Sequence, residues 1–299
     1  MSIPATTISN MSQPSPPSAM IIVAADVRAD LNATTCLNPT ANVVMGHLQD
    51  SPARLIEKRQ LPYHSQAGIS VRHMLVAQAA LRHSHESPRH VPVAGVHQHG
   101  SRTFLVEAPY HYTELEVYLT ATPTADRMSL FQQAVKIVAD LHSRGLVHGS
   151  IMTNAFVVDQ QGNLYLSQFD NMRVEDPNAP FFPMNNPLAS AMAFMAPELL
   201  QSMRDNGVAS LSRATDIYAL GCFGYELLTG TDPFSRYTHC ATQPMAQAGL
   251  ITAVVDRRER PERRGVGTSV WNMLEACWVH AAASRPTAPV LLQHLATVI

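Results

Sequence analysis

The 299-residue sequence is poor in charge, in aromatic side chains and in long apolar runs. Charged residues make up 15% of the chain and the formal net charge is -2, so there is no sign of the basic stripe that a nucleic-acid surface needs. No run approaches the ~18 apolar residues of a membrane span, which predicts a chain without a transmembrane segment. The hydrophobic share of 46% is typical of a globular protein with one large domain or two lobes.

Cysteine is also scarce, and its spacing predicts no metal site. The four cysteines form no CxxC pair and have no zinc-ligand spacing; they are Cys36, Cys222, Cys240 and Cys277. Two of them lie in apolar helical stretches, which is typical of buried free thiols, and the sequence leaves any disulfide pairing open. Asn10 and Asn32 each begin an Asn-x-Ser/Thr triplet, which matters only if the chain is secreted.

The periodicity of the chain changes at about one third of its length. Residues 1–19 are rich in Ser, Pro and Thr and are expected to be disordered. Residues 20–110 contain short alternating runs typical of strands, at 41–48, 53–61, 91–98 and 102–110, with one helix among them at 69–83. From about residue 110 onward helical periodicity dominates, with two strand-like runs at 154–159 and 163–169. Helices are predicted at 110–120, 126–145, 214–230, 269–281 and 288–299. We therefore predict an α+β protein with a small β-rich N-lobe (20–110) and a larger α-helical C-lobe (111–299).

The second half of the chain contains several short motifs that follow one another in a recognisable order. The stretch "LVHGSIMTNAFVVD" (146–159) is similar to the kinase catalytic loop, His-Arg-Asp-Leu-Lys-Pro-Glu-Asn followed by a short strand. "NLYLSQFDNMR" resembles the strand and Asp-Phe-Gly turn, and "FMAPELL" carries the Ala-Pro-Glu signature. The register needs no gap from His148 to Phe169, and the resemblance extends from about residue 104 to the end. It implies a bilobal protein-kinase-like fold.

The residues that match the family pattern are those with structural roles. The resemblance implies that Glu198 pairs with Arg285 inside the C-lobe and that Asp216 accepts backbone N–H groups from the catalytic loop. It also implies that His148 and Phe169 pack beneath the cleft.

The residues that depart from the pattern are those with chemical roles. Phosphoryl transfer needs magnesium ligands, a lysine on the phosphates and a residue that orients the nucleophile. Ser150 stands in the place of the catalytic base, Met152 in that of the loop lysine, and Ala155 and Gln168 in those of the two magnesium ligands. A serine hydroxyl has no useful pKa near neutrality. The resemblance therefore predicts no catalytic residue, no cofactor and no metal ion.

The N-lobe also departs from the family pattern. Residues 36–53 contain a single glycine, Gly46, so the Gly-rich loop that covers the phosphates is absent. Lys58 is a candidate for the strand lysine that holds the phosphates, although a solvated lysine on an edge strand is the alternative. The partner of that lysine should be a glutamate, and the following helical run offers only Gln78. Val106 and Glu107 are expected at the gatekeeper and the hinge.

These features predict that the chain is not an enzyme but an inactive pseudokinase, acting as a protein-binding scaffold or allosteric regulator. It resembles the secreted rhoptry-type, with-no-Gly-loop kinases of apicomplexan parasites, with inactive bradyzoite-stage members as the closest branch. That resemblance implies secretion into the parasitophorous vacuole or cyst wall and protein partners there. The alternative is an unconventional nucleotide-using enzyme that relies on Lys58 with Asp159 or Asp170. A structural wall component is a third possibility.

Overall fold

The computed structural model describes residues 21–22, 27–29, 43–48, 51–60, 87, 89–99, 102–107, 112–176, 187–205, 207, 209–239 and 242–298. The strands are β1 (Ile21–Ile22), β2 (Val27–Ala29), β3 (Val43–Leu48), β4 (Ser51–Gln60), β5 (Val93–His99), β6 (Arg102–Glu107), β7 (Thr113–Glu114), β8 (Leu146–Val147), β9 (Phe156–Val158), β10 (Leu164–Leu166) and β11 (Arg173–Val174). The helices are α1 (Leu115–Ala121), α2 (Arg127–Ser143), α3 (Ala189–Met192), α4 (Pro197–Asp205), α5 (Arg213–Thr229), α6 (Ser235–Thr238), α7 (Gln243–Ile251), α8 (Thr268–Cys277) and α9 (Ala288–Val298).

The small lobe is a six-stranded sheet in the order β1-β5-β6-β4-β3-β2. β1 runs parallel to β5, and the other neighbours are antiparallel. Alternating Val, Ile and Leu residues favour these strands, and only two residues separate β5 from β6, as in a tight hairpin. In the β4–β6 pair, Lys58 lies opposite Val106 and Glu57 lies opposite Glu107.

The larger lobe is built around helix α5, which is buried on almost every side. Its N-terminus carries a capping box made by Ser212 and Thr215, which satisfies backbone N–H groups that the first turn leaves without partners. Two glycines allow close helix packing, because an added Cβ would lie 2.6 Å from the Cβ of Cys277 at Gly221 and 2.5 Å from the ring of Phe131 at Gly224. Helices α8 and α2 therefore contact α5 at these glycines.

Two small sheets position the loops at the base of the cleft. β9 pairs with β10 and β7, and β8 pairs with β11. Residues 148–155 therefore leave β8 for β9 while residues 167–172 leave β10 for β11, and the two loops lie side by side. The N–H of Val91 donates to the carbonyl oxygen of Leu166 at 2.7 Å, which joins the segment before β5 to the larger lobe.

The structure confirms the α+β, bilobal architecture and most elements expected from periodicity. Strands β3 to β6, the β9–β10 hairpin, and helices α1, α2, α5, α8 and α9 lie where the sequence predicts them. The strand pair β8–β11 was not predicted, because two-residue strands are too short to show alternation. The helix expected at residues 69–83 and the disorder expected at residues 1–19 fall outside the described residues. Among the helices that are described, none is long and apolar enough to cross a membrane.

Candidate functional site

Asp216 fixes the start of the loop formed by residues 148–155. Its carboxylate is 1% exposed and accepts the backbone N–H groups of His148 and Gly149, each at 2.8 Å. Nε2 of His142 lies 3.0 Å from the same carboxylate. The predicted contact between Asp216 and the loop is confirmed. His142 was missed by the sequence reasoning, although a histidine on the apolar face of α2 was a signal that it has a buried polar partner.

His148 and Phe169 connect the two loops beneath the cleft. Both side chains are fully buried, with ring centroids 5.9 Å apart in an edge-on arrangement. Nε2 of His148 lies 3.0 Å from the carbonyl oxygen of Ser167. The packing predicted for this pair is confirmed, and it holds residues 167–172 against residues 148–155.

Ser150, which stands where the resemblance implies the catalytic base, is hydrogen-bonded to the neighbouring loop. The amide nitrogen of Asn171 donates to the Ser150 hydroxyl at 2.6 Å, and Asn171 is itself buried. Since a serine hydroxyl does not ionise near neutral pH, the observed contact links the two loops and does not prepare a proton acceptor. No periodic or motif signal in the sequence pointed to Asn171.

Gln168 and Ala155 stand where the resemblance implies the two magnesium ligands. Gln168 has left-handed backbone angles (φ 61°, ψ 56°), and its amide nitrogen donates to the carbonyl oxygen of Asn154 at 2.5 Å. Ala155 is fully buried and has no side-chain donor atom. Met152, in the place of the loop lysine, is half-buried and packs against the hydrophobic core. Because Mg²⁺ prefers carboxylate oxygens, the residues at these positions do not fit this ion.

Glu107, which the sequence places at the hinge, makes a contact that the sequence did not predict. It ends β6, at the start of the segment expected to form the hinge, but its carboxylate is 1% exposed and turned inward. One oxygen accepts the N–H of Phe169 at 3.0 Å and the other accepts the N–H of Gln168 at 3.2 Å. An ionised acceptor makes stronger hydrogen bonds than a neutral one, so Glu107 holds the turn that begins at Gln168.

Asp159, Lys58 and Asp170 are the remaining candidate residues, and of these three the structure describes the side chain of Asp159. Asp159 accepts hydrogen bonds from the backbone of Gln161 and from the backbone and side chain of Asn163, at 2.8 to 3.0 Å. Although partial burial raises the pKa of Asp159, these hydrogen bonds outweigh it and lower the pKa below its ordinary value. Asp159 is therefore a residue of the β9–β10 turn. The side chains of Lys58 and Asp170 lie outside the described residues.

The predicted ion pair between Glu198 and Arg285 is present. The two guanidinium nitrogens of Arg285 each lie 2.7 Å from a carboxylate oxygen of Glu198. The Arg285 side chain is fully buried, lies 5.2 Å from the Tyr218 ring centroid and also donates to the carbonyl oxygen of Ala214 at 2.9 Å. This pair joins helix α4 to the segment that precedes α9.

A further contact joins the loop of residues 148–155 to helix α5. The Thr153 hydroxyl donates to the carboxylate of Glu226. Burial raises the pKa of Glu226, and the hydrogen bond from Thr153 opposes that rise in part. The loop therefore contacts α5 at two separate carboxylates, those of Asp216 and Glu226.

Comparison with known proteins adds independent information on the family. The protein kinase domain family matches residues 61–296. The serine/threonine-protein kinase fray2 of Dictyostelium discoideum is 25% identical over 172 residues, which is 56% of this chain and 15% of that protein. Mitogen-activated protein kinase kinase kinase 5 of Arabidopsis thaliana is 29% identical over 159 residues (52% and 20%). The dual serine/threonine and tyrosine protein kinase of Homo sapiens is 27% identical over 177 residues (58% and 17%).

These comparisons correct the prediction that the chain is not an enzyme. That prediction is wrong, because the matched domain and the relatives named as serine/threonine kinases point, at low identity, to a kinase enzyme. The prediction rested on the absent Gly-rich loop and on the groups at Ser150, Met152, Ala155 and Gln168, although these exclude only the ordinary way of neutralising a triphosphate. The chain spans at most a fifth of the length of the three relatives described. Because the family match covers most of its length, the chain belongs to the protein kinase domain family.

Proposed function

We propose that this protein kinase domain binds other proteins and acts as a scaffold or allosteric regulator. The observation that carries this proposal is a contrast between structural contacts and reactive positions in the larger lobe. The structural contacts that the resemblance implies are present: Asp216 accepts an N–H group at the start of the loop, and Glu198 pairs with Arg285. The loop positions Ser150 and Gln168 instead carry neutral side chains that are hydrogen-bonded to neighbouring loop residues. Loops whose side chains are neutral and already hydrogen-bonded within the protein need little reordering when a protein partner binds, which lowers the free-energy cost of association.

The partner test uses the tagged full chain, expressed in its native source and purified after mild cross-linking. We expect one protein to be recovered in stoichiometric amount, because a scaffold or regulator has a defined partner. Recovery of no stoichiometric protein, with the tagged chain itself folded and abundant, contradicts the proposal. It would favour the structural wall component instead.

The same proposal places the chain among the secreted rhoptry-type, with-no-Gly-loop kinases of apicomplexan parasites. Support comes from the single glycine, Gly46, in residues 36–53 and from the His148-Gly149 pair that opens the loop. Membership implies action in the parasitophorous vacuole or cyst wall, on proteins of that compartment. Immuno-electron microscopy with an antibody to the chain should label that compartment. Label confined to the cytoplasm contradicts this assignment.

A second candidate function is an unconventional nucleotide-using kinase. The family match and the relatives' names favour it, as does the register that sets Lys58 opposite Val106 at the end of the sheet nearest Glu107. Asp159 is no longer a candidate, because its carboxylate holds its own turn. Lys58 therefore becomes the first residue to test.

The nucleotide test is the thermal unfolding midpoint with and without ATP, in Mg²⁺ and in chelator. Ligand at about 100 times its dissociation constant adds about 2.7 kcal/mol to the free energy of unfolding, or about 5 °C for a chain of this size. Lys58→Met should abolish the midpoint shift. The control Lys136→Met changes the second of the chain's two lysines, which lies on helix α2, and should keep the shift. Midpoints that ATP leaves unchanged in both buffers rule out this second function.

A further inference from the structure

A concentrated positive charge follows helix α7, outside the site described above. The helix continues through Thr252–Asp256 in a wider turn and leads into residues 257–264, "RRERPERR", called the basic segment below. This segment has five arginines and two glutamates, a net charge of +3 in a chain whose formal net charge is -2. The overall charge therefore conceals a strongly basic stretch, which our sequence reasoning missed.

The basic segment is held in one conformation. Pro261 is buried, and Arg260 donates to the carbonyl oxygen of Trp278 at 2.6 Å and lies 5.9 Å from the Tyr218 ring centroid. The N–H of Glu259 donates to the carbonyl oxygen of Ala253 at 2.9 Å. The arginines are thus presented from a fixed backbone, so a ligand need not order the segment when it binds.

Glu259 is engaged by a cluster on one side of the segment. Its carboxylate accepts the Tyr237 hydroxyl at 2.6 Å and lies 3.1 Å from Arg236 and 3.0 Å from Arg257. Both guanidinium groups also lie over the Tyr237 ring, at 5.2 and 5.8 Å from its centroid. The negative charge of Glu259 is therefore shared between two guanidinium groups, and the cluster keeps a net positive charge.

Glu262 is also paired with an arginine of the segment, and two other arginines have no carboxylate partner among the described residues. Glu262 lies 3.2 Å from Arg264, and Arg263 donates to the Thr268 hydroxyl at 2.7 Å. Within the part of the chain that the structure describes, no carboxylate is paired with Arg258 or Arg263, and both are exposed. Two solvent-facing guanidinium groups thus lack a counter-charge in the described fold.

The backbone and electrostatics around Arg258 give independent support. Its φ of 54° lies in the left-handed region, which is unfavourable for a long side chain and is found mostly where function or packing demands it. His280 lies on the neighbouring loop, and its pKa is lowered by partial burial first and then by the charges of Arg260 and Arg258. The segment therefore creates a local positive potential.

We propose that the basic segment, together with Arg236, is a docking surface for an acidic peptide segment of a protein partner. The planar guanidinium fork matches carboxylate groups. The interspersed Glu259 and Glu262 suit separate carboxylates better than the continuous charge of a nucleic-acid backbone. This inference rests on the proposed protein-binding function and names the chemistry of the partner.

The test measures binding of a fluorescent octa-glutamate peptide to the full chain by anisotropy at low salt. The double variant Arg258→Gln/Arg263→Gln should bind the peptide about tenfold more weakly, since two exposed charge contacts are lost. The control Arg144→Gln/Arg213→Gln removes equal charge at exposed positions elsewhere and should bind as the unchanged chain does. High salt should weaken the binding, because exposed charges are screened.

Equal binding of octa-glutamate by the two double variants overturns the inference, and so does tighter binding of an octathymidylate or of anionic vesicles. The partner test then separates this inference from the proposed function. A stoichiometric partner recovered undiminished with Arg258→Gln/Arg263→Gln leaves the proposed function standing and removes this docking surface. If no partner is recovered but octa-glutamate binding depends on Arg258 and Arg263, the docking surface stands and the proposed function falls.

Discussion

The Glu198–Arg285 ion pair offers a quantitative test of how the larger lobe is held together. Removing one partner of a buried ion pair costs roughly 3 to 5 kcal/mol, because the remaining charge stays buried and unpaired. The Glu198 side chain is 32% exposed, and Arg285 keeps its bonds to the carbonyl oxygens of Ala214 and Val279. We therefore expect Glu198→Ala to cost about 3 kcal/mol, near the lower end of that range, or about 6 °C in the unfolding midpoint.

The assay is tryptophan fluorescence during thermal unfolding, because the chain has two tryptophans and both, Trp271 and Trp278, are buried in this lobe. Glu198→Gln keeps an acceptor for Arg285 and should lose less than Glu198→Ala. The double variant Glu198→Ala/Arg285→Met should lose less than the sum of its single variants, because it buries no unpaired charge. A midpoint shift below about 1 °C for Glu198→Ala, or strict additivity in the double variant, refutes the reasoning.

Three further predictions concern packing and pH. Gly221→Ala places a Cβ 2.6 Å from the Cβ of Cys277 and should lower the free energy of unfolding, measured by chemical denaturation, by about 1 to 3 kcal/mol. The control Gly267→Ala places its Cβ in open space, so an equal loss of stability in both variants contradicts the packing account. Burial raises the pKa of Glu226 above 4.5, so the native state loses stability as pH rises from 4.5 through its own pKa. The unfolding midpoint of Glu226→Gln should therefore rise relative to that of the unchanged chain as the pH is raised from acidic to neutral. A difference between the two midpoints that does not depend on pH argues against this. The pKa of His280 is lowered below 6.5, so the unfolded chain takes up the proton first and stability is lost as pH falls through 6.5; His280→Asn should lose less over that range, and identical pH profiles would disprove it.

Much of the larger lobe was predictable because its sequence signals are long or in register. The gapless match from His148 to Phe169 placed both side chains correctly, and the contacts of Asp216 and of the Glu198–Arg285 pair followed from the resemblance. A helical period sustained over many residues also identified α2 and α5 with little ambiguity.

Other contacts depend on three-dimensional positions that no periodicity encodes. Alternation along β6 does not say that the Glu107 carboxylate turns inward to the backbone of Gln168. Asn171 lies in an irregular segment, so its bond to Ser150 had no local signature. Arg258 was overlooked because a formal charge of -2 averages a basic stretch with acidic residues that lie elsewhere. Local charge counts therefore describe a surface better than the total does.

Glu107 has a mechanical consequence for the relative motion of the two lobes. It ends a strand of the smaller lobe, yet both of its carboxylate oxygens accept N–H groups from Gln168 and Phe169 in the larger one. A hydrogen bond weakens steeply once its atoms separate beyond about 3.5 Å, so the sheet can tilt away only slightly before both bonds break together. Opening of the lobes therefore requires release of the left-handed turn at Gln168, because the buried Glu107 carboxylate hydrogen-bonds that turn to the smaller lobe.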